Sequence, residues 1–150
     1  MLFTTHEHGT SFNTLFSILD QLEYCLIIIK TFHNEIFGAF CSCHWTDRRQ
    51  KTIYFGNGET FLFKLAPEKK LFKWIGARKQ EQKLQANQEM FIRADSTKIA
   101  IGGGSKDGLS IFSNLTEGTS NTCDTFENEP LSSVEHFQIA VLEVLGFEIK

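Results

Sequence analysis

The side chains of this sequence that could do chemistry are four cysteines, five histidines and a scatter of carboxylates. Cys25, Cys41, Cys43 and Cys123, taken with His6, His8, His33, His44 and His136, supply enough sulfur and nitrogen donors for a zinc ion. Structural zinc sites usually declare themselves as paired C-x-x-C or H-x-x-x-H units, and here there is a single C-x-C-H at Cys41–His44. On a strand, Cys41 and Cys43 would share a face with Phe37, Ala39 and Trp45, which makes them small buried hydrophobes rather than ligands. Cysteines two apart on a strand also lie too far apart for a disulfide. No metal and no cofactor is expected. Cys123 differs, because it sits in the polar run Ser120–Asp124. It is read as the exposed thiol and the candidate redox residue, with Asp124 raising its pKa rather than activating it.

Hydrolytic chemistry has little support. There is no G-x-S-x-G, and His6, Glu7 and His8 form only a loose cluster. Glu7 and Glu59 could act as an acid–base pair, but their spacing gives no reason to think so. Gly102, Gly103 and Gly104 lack the Gly-Lys-Ser/Thr ending of a phosphate loop and precede a strand rather than a helix, so the anion-binding argument fails. The residues describe an interaction module, in which Glu59, Glu7 and His8 are candidate contact positions.

The elements that would position these residues are organised around Ile53–Phe63, IYFGNGETFLF, with an echo at Ile99–Ile111, IAIGGGSKDGLSI. Each block reads as strand, glycine turn, strand, which makes Gly56, Gly58, Gly102, Gly103 and Gly104 fold determinants and places Glu59 at the mouth of a hairpin. The arms of the first hairpin are Thr52–Phe55 and Thr60–Leu65. Gly58 and Gly103 are expected to reject large side chains through positive φ or close backbone approach.

Elsewhere, Ser11 should cap a helix over Phe12–Leu22, whose Phe12, Leu15, Phe16, Leu19 and Leu22 recur at helical spacing. Tyr24–Thr31 is a buried strand with little polar alternation, Ile36–Trp45 returns beside it, and Thr46–Lys51 is a loop. Leu71–Ile75, Met90–Arg93, Lys98–Ile101 and Leu109–Phe112 are short strands. Residues 76–88 form a loop or a weak exposed helix, and Asn114–Pro130 is polar and irregular. Phe137–Phe147 reads as a strand, with a helix competing. The fold class that follows is α+β, mostly β: two antiparallel sheets packed as a β-sandwich with flanking helices in one domain. Fifteen phenylalanines in short alternating runs suit that interior.

A net charge of −3 implies no nucleic-acid partner. The cations cluster, however, between Lys64 and Lys83, where Lys69, Lys70, Lys73, Arg78 and Lys79 offer a contact for an anionic membrane or an acidic partner. No signal peptide is read at Met1, and no apolar run approaches the ~20 residues of a membrane span. A reducing cytoplasmic compartment with free thiols is therefore expected.

Seven blocks together go beyond these generic features. They are LFTTHEHGTS at Leu2–Ser11, IFGAF at Ile36–Phe40, FGNGETFLF at Phe55–Phe63, FKW at Phe72–Trp74, IAIGGGSKDGLSI, SNTCDTFENEPL at Ser120–Leu131 and LEVLGF at Leu142–Phe147. In this order they resemble the TLDc domain across essentially the whole chain. LFTTHEHG and CHWTDR are most similar to the TBC–TLDc, Skywalker-type branch, in which a Rab-GAP-like TBC domain precedes the TLDc domain. The resemblance implies a β-sandwich and a chain lacking the helical segment with which such domains usually begin, with residues 76–88 as a variable loop. It further implies a role in resistance to oxidative stress, association with the vacuolar proton pump, and work beside a GTPase-activating TBC domain in synaptic vesicle and endosomal trafficking. Contact with Rab- or Arf-type GTPases would run through that TBC domain, and the location would be peripheral to presynaptic vesicle and endosomal membranes. The arginine and glutamine fingers of a TBC domain are not in this sequence, so no GTPase-activating chemistry is expected of it, and the resemblance supplies no catalytic residues.

Overall fold

The computed structural model describes residues 2–50, 53–78 and 84–147. Among these residues ten strands form one continuous antiparallel array that folds into two packed sheets. The chain opens with β1 (Phe3–Thr4), a single turn α1 (Thr5–His8) and the helix α2 (Phe12–Leu19). Strands β2 (Tyr24–Thr31) and β3 (Ile36–Ser42) follow, then a 3-10 turn over Trp45–Arg49, β4 (Phe61–Ala66) and β5 (Lys70–Lys73). After the short helix α3 (Ile75–Arg78) and a 3-10 turn at Ala86–Gln88 come β6 (Ile92–Ala94), β7 (Lys98–Ile101), β8 (Leu109–Phe112), β9 (Glu117–Ser120) and β10 (His136–Phe147).

β10 belongs to both sheets. Its first residues, His136–Gln138, pair with β9, while Ile139–Phe147 pair with β2 after a register shift between Ile139 and Val141. That irregularity lets one strand turn from the second sheet (β10-β9-β8-β7-β6) into the first (β10-β2-β3-β4-β5, with β1 on the other side of β10). The strand reading of Phe137–Phe147 is therefore the one realised. The sandwich interior is filled by Ile27, Ile29, Phe37 and Leu62 from the first sheet and by Ile99, Ile101, Leu109 and Ile111 from the second. Phe37 and Phe137 meet edge to face at 4.9 Å across it. α2 adds Phe12, Leu15 and Leu19 to the same core; Ser11 stands at its N-cap without a side-chain cap bond, and the helix ends at Leu19 rather than Leu22.

The block around Ile53–Phe63 is not a hairpin. Phe55 bridges Ile92 of β6, donating N–H to its carbonyl at 2.8 Å and accepting in return at 3.1 Å. Asn57 N–H then donates to Ser42 O at the end of β3, and Phe61 enters β4. The segment thus crosses from one sheet to the other, tying the edge of the second sheet to the end of the first. Thr52 lies outside the described residues. The second block is a hairpin, with β7 and β8 paired from Lys98↔Phe112 to Ile101↔Leu109.

Three further segments differ from expectation. The Trp45–Arg49 turn lies where a loop was expected, and it buries Trp45 fully. Leu71–Ile75 divides into β5 and α3. The polar Asn114–Pro130 region contains β9.

Candidate functional site

The cysteines are placed by the sheets. Cys25 and Cys41 face each other across β2 and β3, both fully buried, and Cys43 lies just beyond. Contact with the Cys25 thiol, then burial, push the Cys41 thiol well above its ordinary pKa, and burial does the same at Cys43. All four cysteines are free thiols. Among the described residues no three His, Cys, Asp or Glu side chains gather as they would around a metal.

Cys123 is not exposed. It is 3% accessible, packed against Gly102, Gly108 and Phe126. Its N–H and thiol both donate to Asn128 Oδ1, at 3.2 and 3.1 Å. Burial pushes its pKa up to about 11, while hydrogen bonds from the backbone of Phe126 and Thr125 oppose that and Asp124 adds to it in the expected direction. The polar run that suggested a solvent loop is a buried plug. Thr125 Oγ1 donates to Asn87 O at 2.9 Å and accepts from Gly103 N–H at 3.2 Å. Asn128 Nδ2 donates to Asn121 O and Glu129 O. Cys123 is thus buried where an exposed thiol was expected.

The glycine blocks hold this plug and its neighbours. A Cβ at Gly102, whose φ is +82°, would stand 2.6 Å from Cys123 Sγ and 2.8 Å from the Phe126 ring. Gly58 has no positive φ; it lies under Trp74, whose ring a Cβ would meet at 2.2 Å. Gly103 is excluded likewise by Met90 and the Tyr54 hydroxyl, and Gly104 by Asp124. Gly56 faces Ile92 and Ser42 O where the chain changes sheets.

His8 Nδ1 lies against the backbone of Thr4, and its ring stacks on Phe3 at 5.5 Å. It fastens the α1 turn, and Glu7 beside it is exposed on that turn. No hydrogen bond or ion pair joins Glu7 to Glu59 among the described residues. Glu59 follows an Asx turn, its N–H donating to Asn57 Oδ1 at 2.9 Å, and its carboxylate lies near Tyr24. Glu23 foremost, then burial and Glu59, raise the Tyr24 pKa.

The basic stretch is divided in two. Lys70 and Lys64 both reach Glu129, at 2.8 and 3.4 Å, and Lys70 also reaches Glu68. The Lys70 contact, followed by Lys64, holds the Glu129 carboxyl below its ordinary pKa, and the same contact raises that of Lys70. Lys69 and Lys73 are exposed and carry no ion pair among the described residues. The Arg78 side chain and Lys79 lie outside the described residues.

One surface had not been anticipated. Because β2 lacks polar alternation, it is apolar on both faces: Cys25, Ile27 and Ile29 point inward, while Leu26 and Ile28 point out. Cross-strand register sets Leu145, Leu26, Phe40, Phe61 and Lys73 in one outward row and Glu143, Ile28, Gly38, Phe63 and Leu71 in the next. Phe40 and Phe61 stack at 5.2 Å, and Tyr24 stacks on Phe40 at 6.2 Å. An open, apolar groove of about 450 Å³ runs along Leu26, Ile28, Phe61, Phe63, Leu65 and Leu71, with Lys64, Lys69 and Lys70 at its edge. The signal was present in YCLIIIKT and FLFKL, whose residues are apolar at both parities. The ionisable side chains that line it are Lys64, Lys69 and Lys70.

With this architecture the sequence pattern of the TLDc domain matches over residues 1–148, and the chain belongs to the TLDc family. It is 42% identical to the GTPase-activating protein skywalker of Drosophila melanogaster, over 98% of this chain and 26% of that protein. It is 31% identical to TBC1 domain family member 24 of Xenopus laevis, over 99% of this chain and 34% of the relative. Against oxidation resistance protein 1 of Bos taurus the identity is 34%, over 99% of this chain and 16% of the relative. The chain thus spans about a third or less of each of these relatives.

Proposed function

We propose that the chain is a non-enzymatic interaction module that works beside a TBC domain. The GTPase-activating chemistry named for skywalker would then reside in the TBC part of such proteins. The observation that carries this reading is the end-to-end similarity to relatives named for a TBC domain and for GTPase activation, combined with a broad apolar sheet face in place of a catalytic set. The module acts in synaptic vesicle and endosomal trafficking, on the cytoplasmic side of those membranes. It contributes to resistance to oxidative stress, the property named in oxidation resistance protein 1. Its partners are the TBC domain and the vacuolar proton pump, with small GTPases engaged through the TBC domain. Stress protection then follows from what the module binds rather than from its own thiols, in keeping with the burial of all four.

The test is capture with purified components. The 150-residue chain is immobilised and offered a TBC domain and proton-pump subunits, with another TLDc domain run alongside. Retention of at least one partner by both is expected. Retention by the second domain alone would overturn the reading.

A further inference from the structure

The outer face of the first sheet has a shape, a chemistry and a charged border, and together they select an occupant. Its five strands at ~4.8 Å spacing and six residues of ~3.3 Å rise give a floor about 20 Å on each side, apolar at its centre and interrupted by Glu143, Gly38 and Lys73. It is long enough for about 13 residues of helix at ~1.5 Å per residue, and wide enough for the ~10 Å diameter of one helix. Two helical turns border this floor without closing it: His6 of α1 stands beside Ile28 and Glu143 at the β10 side, and Ala77 of α3 stands beside Phe61 and Lys73 at the other end, while α2 adds its apolar face to the sandwich core.

The border is asymmetric. β5 is the terminal strand of the first sheet, and the alternation from Lys69 through Leu71 to Lys73 presents lysine, leucine, lysine along that side. The far side, on β10, carries Glu143, and the Tyr24 end carries Glu23 and Glu59. An anionic lipid surface would be drawn by Lys69 and Lys73 but repelled by these carboxylates on the same face. Lysines on an edge strand also oppose the addition of a further strand. A helix lying along the strands meets both demands, since only the flank turned toward β5 needs to be acidic.

We infer that this face seats an amphipathic helix whose apolar stripe covers Leu26, Ile28, Phe40, Phe61, Phe63 and Leu71, and whose acidic flank meets Lys69 and Lys73. The inference rests on the reading of the chain as an interaction module and names its surface and the chemistry of its partner. Lys69 and Lys73 are four residues apart on extended chain, about 13 Å at ~3.3 Å per residue. Acidic residues seven or eight positions apart on the helix share one flank and, at ~1.5 Å each, lie about 10–12 Å apart, within reach of both lysines.

The experiment selects binders to the 150-residue chain from a displayed library of helical 18-residue peptides with a fixed Leu/Phe stripe and randomised flanks. Asp and Glu should be enriched on one flank at the stated separation. Leu65 and Leu71 are 43% and 51% exposed, so L65E and L71E leave the melting temperature in place. Each should weaken the selected peptides at least tenfold, and the K69E/K73E double variant should invert the flank preference to Lys and Arg. Failure to enrich any peptide, enrichment of basic flanks with the unaltered chain, or binding indifferent to L71E would each overturn the inference. So would binding of phosphatidylserine vesicles that L71E abolishes, which would assign the face to lipid. Undiminished capture of a TBC domain or pump subunit by L71E would also sink the inference while leaving the interaction module standing. Capture by neither form, with the second TLDc domain retaining a partner alongside, would sink the module, whatever the peptides do.

Discussion

Native Cys123 should be a slow thiol, and the structure says by how much. A rise of its pKa from 9.0 to about 11 cuts the thiolate fraction at neutral pH about a hundredfold. The more basic thiolate is the better nucleophile, and a Brønsted coefficient of ~0.4–0.5 over that interval restores about six- to tenfold. Ionisation alone therefore slows attack roughly tenfold. Access slows it further, because at 3% exposure the sulfur lies behind Gly102, Gly108 and Phe126 and reacts only when the plug opens. The assay alkylates the protein with N-ethylmaleimide for graded times at pH 7.4, native and in denaturant, and reads each cysteine-bearing peptide by mass spectrometry. Native Cys123 should lag its denatured rate by well over tenfold, and Cys25 and Cys41 by more. A native rate within threefold of the denatured one would refute the burial argument and reopen a direct thiol role.

Raised thiol pKa values also make stability fall with alkali. A thiol whose pKa is higher in the folded chain favours folding fully below the unfolded value and loses that contribution as pH rises through the folded one. For Cys123 the window runs from 9.0 to about 11, and the loss is on the order of 3 kcal/mol. Urea midpoints measured across that window should drop more steeply for the unaltered chain than for C123A. G58V should unfold the chain, because a Cβ meets Trp74 at 2.2 Å before the valine methyls are added. A melting temperature within a few degrees of the parent would disprove that packing. L62A empties a site at the centre of the sandwich and should cost about 2–5 kcal/mol in chemical denaturation. D20A leaves the partly buried Arg48 guanidinium with Trp45 O at 2.9 Å and the Phe16 ring, and should cost about 1–3 kcal/mol. An unchanged midpoint would make that ion pair ornamental.

The parts of the fold legible in the sequence are those where one local signal decides. Tyr24–Thr31 and the β7–β8 hairpin are apolar runs bounded by turn residues, and the structure places both as read. The errors came from decisions made at long range. Nothing local in IYFGNGETFLF distinguishes a chain that folds back from one that steps between sheets, because the partner of Phe55 is Ile92, far along the sequence. Cys123 was misplaced for a related reason. Ser120, Thr125 and Asn128 look like solvent-facing residues, but each is at most 1% exposed and satisfied by a partner inside the fold. Polarity in a sequence reports a need for hydrogen bonds, and buried backbone meets that need as well as water does.

The same reasoning bears on the apolar sheet face. In an antiparallel sheet with one solvated side, outward positions ordinarily turn polar, and selection has only to change alternate residues to achieve it. β9 follows that rule, with Glu117 and Thr119 outward of Gly118 and Ser120. β2 does not, and its outward Leu26 and Ile28 are continued across the sheet by Phe40, Phe61 and Phe63. Interior packing gives no reason for this, since Ile27, Ile29, Phe37 and Leu62 already fill the inner side. A contiguous outward row spanning four strands needs a cause outside the core, and a covering partner supplies one. If that is right, polar substitutions on the two sides of β2 should part company. I27N should unfold the chain, whereas L26T should keep it folded and cost it its partner. Measuring the melting temperature and helix-peptide affinity of both variants decides the matter, and equal loss of stability in the two would place Leu26 in the core after all.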